Sequence, residues 1–126
     1  MNITDLIFYK TYPMKHDSFV EQAMLEANRS LMKMRHGAII VHRNKIIARG
    51  HNKKDNFSEK TSLHAEVAAI MDMKKGRDYP RTSVTMYVIR LGSCPGHTKN
   101  SKPCVNCEKS IIESGIKRVF FSSNDP

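Results

Sequence analysis

Apolar and polar residues along the first half of the chain follow two different periods. From residue 17 to 34 apolar residues recur at helical spacing, and Asp17 or Ser18 can serve as the N-cap, so the pattern predicts a helix there. Residues 38–41 and 46–48 are two β-rich runs around a short polar turn. This arrangement predicts a β-hairpin.

The second half of the chain alternates helical and extended patterns. It predicts a helix from about residue 62 to 75 that Gly76 stops, and a buried strand over 84–89. A helix over 104–114 and a strand over 116–121 follow. Strands that alternate with helices favour parallel neighbours in a layered α/β sheet.

The N-terminal segment, residues 1–15, is an extension whose structure the pattern does not fix. Residues 6–9 are apolar, and they form either a strand or apolar cover for an exposed sheet edge. With no repeat, low-complexity tract or boundary along its 126 residues, the chain is expected to form a single domain spanning 1–126.

Composition indicates a globular protein that does not enter a membrane. The chain is 40% apolar and 26% charged, and no apolar run approaches the ~20 residues that span a bilayer. The N-terminus lacks the pattern of a signal peptide. Three cysteines, two of them in a metal-like pair, suit a reducing compartment, so we expect a cytoplasmic protein.

The net charge of +9, from 21 Lys and Arg against 12 Asp and Glu, is the next clue to function. Such an excess attracts phosphate, either on nucleotides or on nucleic acid. The alternative is an ordinary solvated basic surface, because the basic residues are spread along the chain.

Two short motifs carry the candidate chemistry. One is His64-Ala65-Glu66, and the other is Pro103-Cys104-Val105-Asn106-Cys107. One imidazole and two thiols can fill three positions of a tetrahedral zinc site and leave the fourth for water. Glu66 is then a carboxylate beside the metal that is not needed as a ligand. These are the parts of a hydrolytic zinc centre.

A rival metal site is also present in the sequence. Cys94-x-x-His97 followed by Cys104-x-x-Cys107 is ligand spacing for a closed structural zinc, which would make the protein a non-catalytic binding module. That alternative leaves His64-Ala65-Glu66 unexplained. Cys94 and His97 could instead hold a second, structural zinc, or simply lie in a solvated loop.

His-x-Glu followed by Pro-Cys-x-x-Cys resembles the zinc-dependent cytidine/deoxycytidylate deaminase superfamily, from about residue 35 to 121. The resemblance implies a three-layer α/β/α fold, a mixed sheet of four to five strands flanked by helices. It also implies one zinc per chain, with Glu66 as the catalytic proton carrier and His64, Cys104 and Cys107 as ligands. Family members are commonly homo-oligomers.

The resemblance further implies which residues meet the substrate. The backbone around Ala65 and Pro103 would bind the base edge, and Asn52 would contact sugar or phosphate unless it is only a turn residue. Basic residues of the flanking loops are expected to rim the pocket and to favour a phosphorylated substrate: Lys53, Lys54, Lys60, Arg90, Lys99 and Lys102.

No subfamily pattern fits cleanly. Polynucleotide cytosine deaminases usually carry Ser-Trp-Ser before Pro-Cys, and this chain has no Trp. The tRNA adenosine deaminases typically carry Glu where Lys102 stands, and deoxycytidylate deaminases usually follow the Asn with Gly-x-Pro rather than Lys53-Lys54-Asp55. We expect a cytosine nucleotide substrate of the dCMP or CMP type. Deamination of a base in tRNA or single-stranded nucleic acid is the alternative.

Overall fold

The computed structural model describes residues 6–11, 18–54, 62–76, 84–93 and 97–123. The helices are α1 (Ser18–Asn28), α2 (Ala65–Lys74) and α3 (Val105–Glu113). The strands are β1 (Ile7–Thr11), β2 (His36–His42), β3 (Lys45–His51), β4 (Lys53–Lys54), β5 (Ser62–Leu63), β6 (Val84–Leu91), β7 (Thr98–Lys99) and β8 (Arg118–Ser122).

The main sheet is mixed, with strand order β1-β8-β6-β2-β3. β8 runs parallel to both β1 and β6, whereas β2 is antiparallel to both β6 and β3. The short β7 pairs with the end of β6, and β4 and β5 form a separate two-stranded sheet. The mixed sheet predicted above is confirmed.

Three helices cover the two faces of this sheet. Side chains of β2 alternate between the faces because successive residues of a strand point in opposite directions. Ile39 packs with Val20 and Ala23 of α1, whereas Ile40 packs with Ala69 of α2 in a second cluster that also contains α3. The layers are therefore α1, the sheet, and the pair α2 and α3, as predicted.

The hairpin was predicted correctly, and its turn has a specific backbone conformation. Arg43 and Asn44, between β2 and β3, have φ angles of 49° and 63°. Two successive residues with positive φ are typical of the type I′ turn, whose twist matches that of the flanking strands. Asn44 suits this conformation, whereas Arg43 adopts it against its preference.

The first helix was predicted too long, because it ends at Asn28 and not at residue 34. The chain turns away there, since the hydroxyl of Ser30 donates to the backbone oxygen of Asn52 at 2.9 Å. Leu31, whose position continues the helical spacing, is fully exposed. Residues 31–35 instead form a connection that leads into β2.

The N-terminal segment contributes the strand β1, which covers the β8 edge of the sheet. The segment between β6 and α3 contains β7, which folds back onto the end of β6. Within the ranges that the structure describes, every helix is too short or too polar to cross a membrane.

Candidate metal centre and active site

The starts of α2 and α3 meet at the carboxyl end of β6. His64 is the N-cap of α2 and Cys104 is the N-cap of α3, both with extended backbone. Neither side chain caps its own helix, so both are available to a ligand. Cys107 lies one turn into α3 on the same face as Cys104, because residues i and i+3 of a helix are neighbours.

The donor atoms of His64, Cys104 and Cys107 all lie within 4.8 Å of one another. The Nδ1 atom of His64 is 3.1 Å from the Sγ atom of Cys107. One nitrogen and two sulfurs at this separation form a donor set that zinc prefers. The residues therefore fit a zinc ion, with three protein donors and one position left over.

The thiol of Cys107 is buried, and this burial raises its pKa. The neighbouring carboxylate of Glu66 and the Cys104 thiol raise the pKa further. Because zinc binds the thiolate form, metal binding at this site is coupled to the loss of the thiol proton.

Glu66 lies in the first turn of α2, two residues after His64, and is only 5% exposed. Burial raises the pKa of its carboxyl group, while its own backbone N–H, His64 and Cys107 oppose the shift. It lines the same cavity as His64 and Cys104. A buried carboxyl group beside a donor set of this kind is suited to carrying protons.

A cavity of about 810 Å³ opens above these residues. Among the described residues, its lining has one carboxylate, that of Glu66, and five cationic side chains: Lys33, Arg35, Arg90, Lys99 and Lys102. The cavity is thus strongly cationic before any metal is bound. An anionic ligand would be favoured in it.

Buried serines hold the segment that delivers Cys104. The hydroxyl of Ser101 donates to the Val88 carbonyl at 2.7 Å and lies 2.8 Å from the hydroxyl of Ser122. The Ser122 hydroxyl donates in turn to the Lys99 carbonyl at 2.6 Å. These bonds tie the chain before α3 to β6 and β8. No local pattern predicts these bonds, because the partners are distant along the chain.

Asn52 lies at the end of β3 and lines the cavity. Its side-chain oxygen accepts from the backbone N–H of His36 at 2.9 Å, and its side-chain nitrogen donates to the Met34 carbonyl. Asn52 therefore anchors the connection between α1 and β2. Its contact with a substrate remains a prediction.

The other predicted substrate residues are divided between two places. Ala65 and Lys102 line the cavity, and Pro103 is buried next to it. The ammonium group of Lys102 lies 4.9 Å from the centre of the Phe8 ring. Lys53 lines a separate cavity and Lys54 lines neither, because both residues pair with β5. Neither Lys53 nor Lys54 is among the described residues that line the cavity of His64 and Glu66, and a role for either in substrate binding stays a prediction.

Sequence reasoning missed the contribution of residues 32–36 to the cavity. The pattern assigns residues 32–34 to the first helix and gives residues 35 and 36 no role, so none of these side chains is a candidate site residue from the sequence. Burial, followed by the charges of Arg90 and His64, lowers the pKa of His36 to about 4. His36 is therefore neutral at physiological pH.

The rival metal site is only partly described. Cys94 lies outside the described residues, as does the predicted rim residue Lys60, whereas His97 is described and exposed. Within the described ranges, the cluster that could hold a metal is that of His64, Cys104 and Cys107, and His97 is not part of it.

A family model described as the cytidine and deoxycytidylate deaminase zinc-binding region matches residues 13–123. A tRNA-specific adenosine deaminase of Aquifex aeolicus is 32% identical over 114 residues, which are 89% of this chain and 68% of that protein. A tRNA-specific adenosine deaminase of Buchnera aphidicola is 32% identical over 70% of this chain, which spans only 51% of that relative.

Solved structures give the same fold. The apo dCMP deaminase of cyanophage S-TIM5 is 26% identical, with a TM-score of 0.67, over 86% of this chain and 82% of that one. A guanine deaminase of Bacillus subtilis is 28% identical, with a TM-score of 0.61, over 87% of this chain and 65% of that one. The substrates named for these proteins differ: adenosine in tRNA, dCMP and guanine.

Proposed function

The chain belongs to the cytidine and deoxycytidylate deaminase family, and we propose that it replaces the amino group of a cytosine nucleotide with oxygen from water, giving the corresponding uracil nucleotide and ammonia. The family consists of zinc-dependent hydrolases, so the reaction class follows from membership. The observation that carries the proposal is a buried Glu66 beside the cluster of His64, Cys104 and Cys107, within a cationic cavity.

In this proposal His64, Cys104 and Cys107 hold the zinc. When bound, zinc supplies Lewis acidity that lowers the pKa of water to about 7. Glu66 accepts a proton from the attacking water and delivers it to the ring nitrogen of the base. The water oxygen bonds to the amine-bearing carbon. Glu66 then carries the remaining proton of that water from the new hydroxyl group to the amino group. The carbon–nitrogen bond breaks, ammonia leaves and the carbonyl group forms, so one water is consumed for each ammonia released.

The charge of the cavity supports a phosphorylated substrate over a bare nucleoside. Five cationic side chains against one carboxylate attract phosphate through charge-assisted hydrogen bonds. The similarity to the cyanophage dCMP deaminase also supports a cytosine mononucleotide.

A base in tRNA is the second candidate substrate, and the curated relatives support it. Those reported above at 32% identity are both named tRNA-specific adenosine deaminases. In addition, Met34 lines the cavity and is 55% exposed. Apolar surface at a pocket mouth can receive a base displaced from a nucleic acid.

The test is a substrate panel assayed for ammonia release with zinc-loaded protein. The panel contains cytidine, deoxycytidine, CMP, dCMP, a cytosine-containing single strand and tRNA, with Glu66→Gln as the inactive control. We expect the mononucleotides to give the highest kcat/KM. Preferred turnover of tRNA or of the oligonucleotide would replace the first candidate with the second.

We also propose that the protein works in the cytoplasm. Cys104 and Cys107 are free thiols. Thiols that bind zinc need a reducing compartment, because oxidation to a disulfide would destroy the site.

A further inference from the structure

Three basic residues stand side by side across the sheet at the edge of the cavity. In the strand register His36 of β2 lies opposite Arg90 of β6, and Arg90 lies opposite Lys99 of β7. Residues directly opposite each other in neighbouring strands project from the same face of the sheet. All three line the cavity that contains His64 and Glu66.

This arrangement is unfavourable for the protein by itself. Like charges directly opposite each other in paired strands destabilise a sheet, and Arg90 and Lys99 are such a pair. His36 escapes the repulsion only by staying neutral. The described lining of the cavity contains one carboxylate, and it belongs to the proposed proton carrier Glu66.

The guanidinium group of Arg90 is also incompletely bonded. Its Nε atom is buried and has no hydrogen-bond acceptor in the described part of the chain. A buried donor without an acceptor has lost its hydrogen bonds to water and gained none in return, which is unfavourable, and more so for a charged group. A group that carries such a cost inside a cavity is suited to an incoming acceptor.

We infer that Arg90, assisted by Lys99, is the residue that binds a phosphate group of the substrate. The inference rests on the proposed function, since it places the phosphate in the same cavity as the reacting base. Arginine offers a planar fork of donors that matches phosphate oxygens, and Nε belongs to that fork. A phosphate here gives Nε an acceptor and separates the charges of Arg90 and Lys99.

Binding of inorganic phosphate tests this inference without relying on turnover. The thermal unfolding midpoint of the zinc-loaded protein is measured against phosphate concentration, with ionic strength held constant by chloride. Saturable stabilisation is expected for the wild-type protein. Sodium acetate over the same range is the matched anion control, and an equal response to acetate would refute the assignment to phosphate.

Substitutions assign the effect to Arg90. In Arg90→Gln the phosphate concentration for half-maximal stabilisation should rise about 10- to 100-fold, as expected for the loss of charge-assisted hydrogen bonds. Arg90→Lys keeps the charge without the fork and should fall between Arg90→Gln and wild type. Without phosphate, Arg90→Gln should unfold at the same or a higher temperature, because the repulsion with Lys99 is gone.

Arg118→Gln is the matched control, an exposed arginine at the start of β8 and away from the cavity. It should respond to phosphate as the wild type does. If Arg90→Gln retains the wild-type response, then phosphate binds elsewhere, on the metal for example, and the inference is wrong. If Arg90→Gln does not fold, Lys99→Gln is measured instead, and it should need more phosphate for half-maximal stabilisation than the wild type. An unchanged phosphate response of Lys99→Gln would then refute the inference.

Two phosphate sources are distinguished by kinetics. For a mononucleotide, Arg90→Gln should lower kcat/KM for dCMP but not for deoxycytidine. For a polynucleotide, the loss should appear with the cytosine-containing oligonucleotide and not with dCMP. If phosphate binding depends on Arg90 but no cytosine nucleotide is turned over, the proposed substrate fails and the phosphate subsite stands.

Discussion

Four side chains decide whether the cavity can bind zinc and move protons. His64, Cys104 and Cys107 bring three donors within 4.8 Å, and Glu66 lies among them without being a necessary ligand. The donors and the carboxylate should therefore respond differently to substitution. Loss of a donor removes the metal, whereas loss of the Glu66 carboxylate removes only the reaction.

We expect His64→Ala and Cys107→Ser to lose zinc, because two remaining donors bind the ion too weakly. Elemental analysis of the purified proteins gives the zinc content per chain. Cys94→Ser is the control and should retain one zinc. Zinc loss in Cys94→Ser together with retention in His64→Ala would favour the closed structural site.

Glu66→Gln should fold and retain zinc but lose at least ~10²–10⁴-fold in turnover, which is the usual contribution of a general acid–base group. Ammonia release and zinc content are measured on the same preparation. A near-normal rate would remove Glu66 from the mechanism.

The lowered pKa of His36 predicts that the stability of the protein depends on pH. Its pKa in the folded protein, about 4, lies below its ordinary value of 6.5, so the unfolded chain binds the proton more tightly. The folded state therefore loses stability as the pH falls from about 6.5 towards 4. We expect the urea midpoint of the wild type to fall more steeply over this window than that of His36→Gln. Parallel curves would show that His36 does not contribute.

At the scale of elements, the helices approach the sheet through glycines. A methyl group at Gly37 would overlap the backbone of Ala23 and Ala27 in α1, and one at Gly50 would overlap Ala68 and Ala69 in α2. These two helix–strand approaches therefore depend on the absence of a side chain. The α2 contact matters for the site, because α2 carries His64 and Glu66.

Gly50→Ala should therefore lower the free energy of unfolding by at least the ~1–3 kcal/mol typical of overpacked cores. It should also reduce zinc affinity, since α2 must move. Gly76→Ala, where the new methyl group would lie 3.3 Å from one carbonyl oxygen, is the comparison and should cost much less. The free energy of unfolding of both variants is measured by urea unfolding. Equal losses of stability in the two variants would contradict the close contact proposed at Gly50.

At the scale of the whole molecule, the β1 edge still exposes apolar surface. Tyr9 stacks on Phe120 with ring centres 4.7 Å apart, and Phe120 stacks on Tyr87 at the same distance. This aromatic row lies on the α1 face, and at its outer end Ile7 is 49% and Tyr9 39% exposed. Exposed apolar surface next to a sheet edge favours association.

We therefore expect a homo-oligomer in which this surface is covered, as the family resemblance also suggested. Light scattering across micromolar concentrations should give a mass above 14.4 kDa. Ile7→Glu should lower that mass by placing a charge in the contact, whereas Lys109→Glu, on the exposed surface of α3, should leave it unchanged. A monomer at every concentration would refute the expectation.

Features that depend on neighbouring residues could be predicted from the sequence. The hairpin, the helices α2 and α3 and the strands β6 and β8 follow from local periodicity, and their predicted bounds are correct to within about three residues. The candidate zinc donors were also identified from the sequence, because the ligand spacing of Cys104 and Cys107 and the start of each helix are local properties. The resemblance to the deaminase family rested on the same two motifs.

Features that depend on contacts between distant parts of the chain could not be predicted from the sequence and follow from the tertiary structure. The end of α1 at Asn28 follows from bonds between the next residues and Asn52, which no local pattern contains. The pairing of β1 with β8 and the absence of Lys53 from the cavity likewise follow from long-range strand pairing. The row of His36, Arg90 and Lys99 exists because strand register places three residues from separate parts of the chain side by side. Register is set by packing over the whole sheet, so charges that meet across strands cannot be identified from their order along the chain.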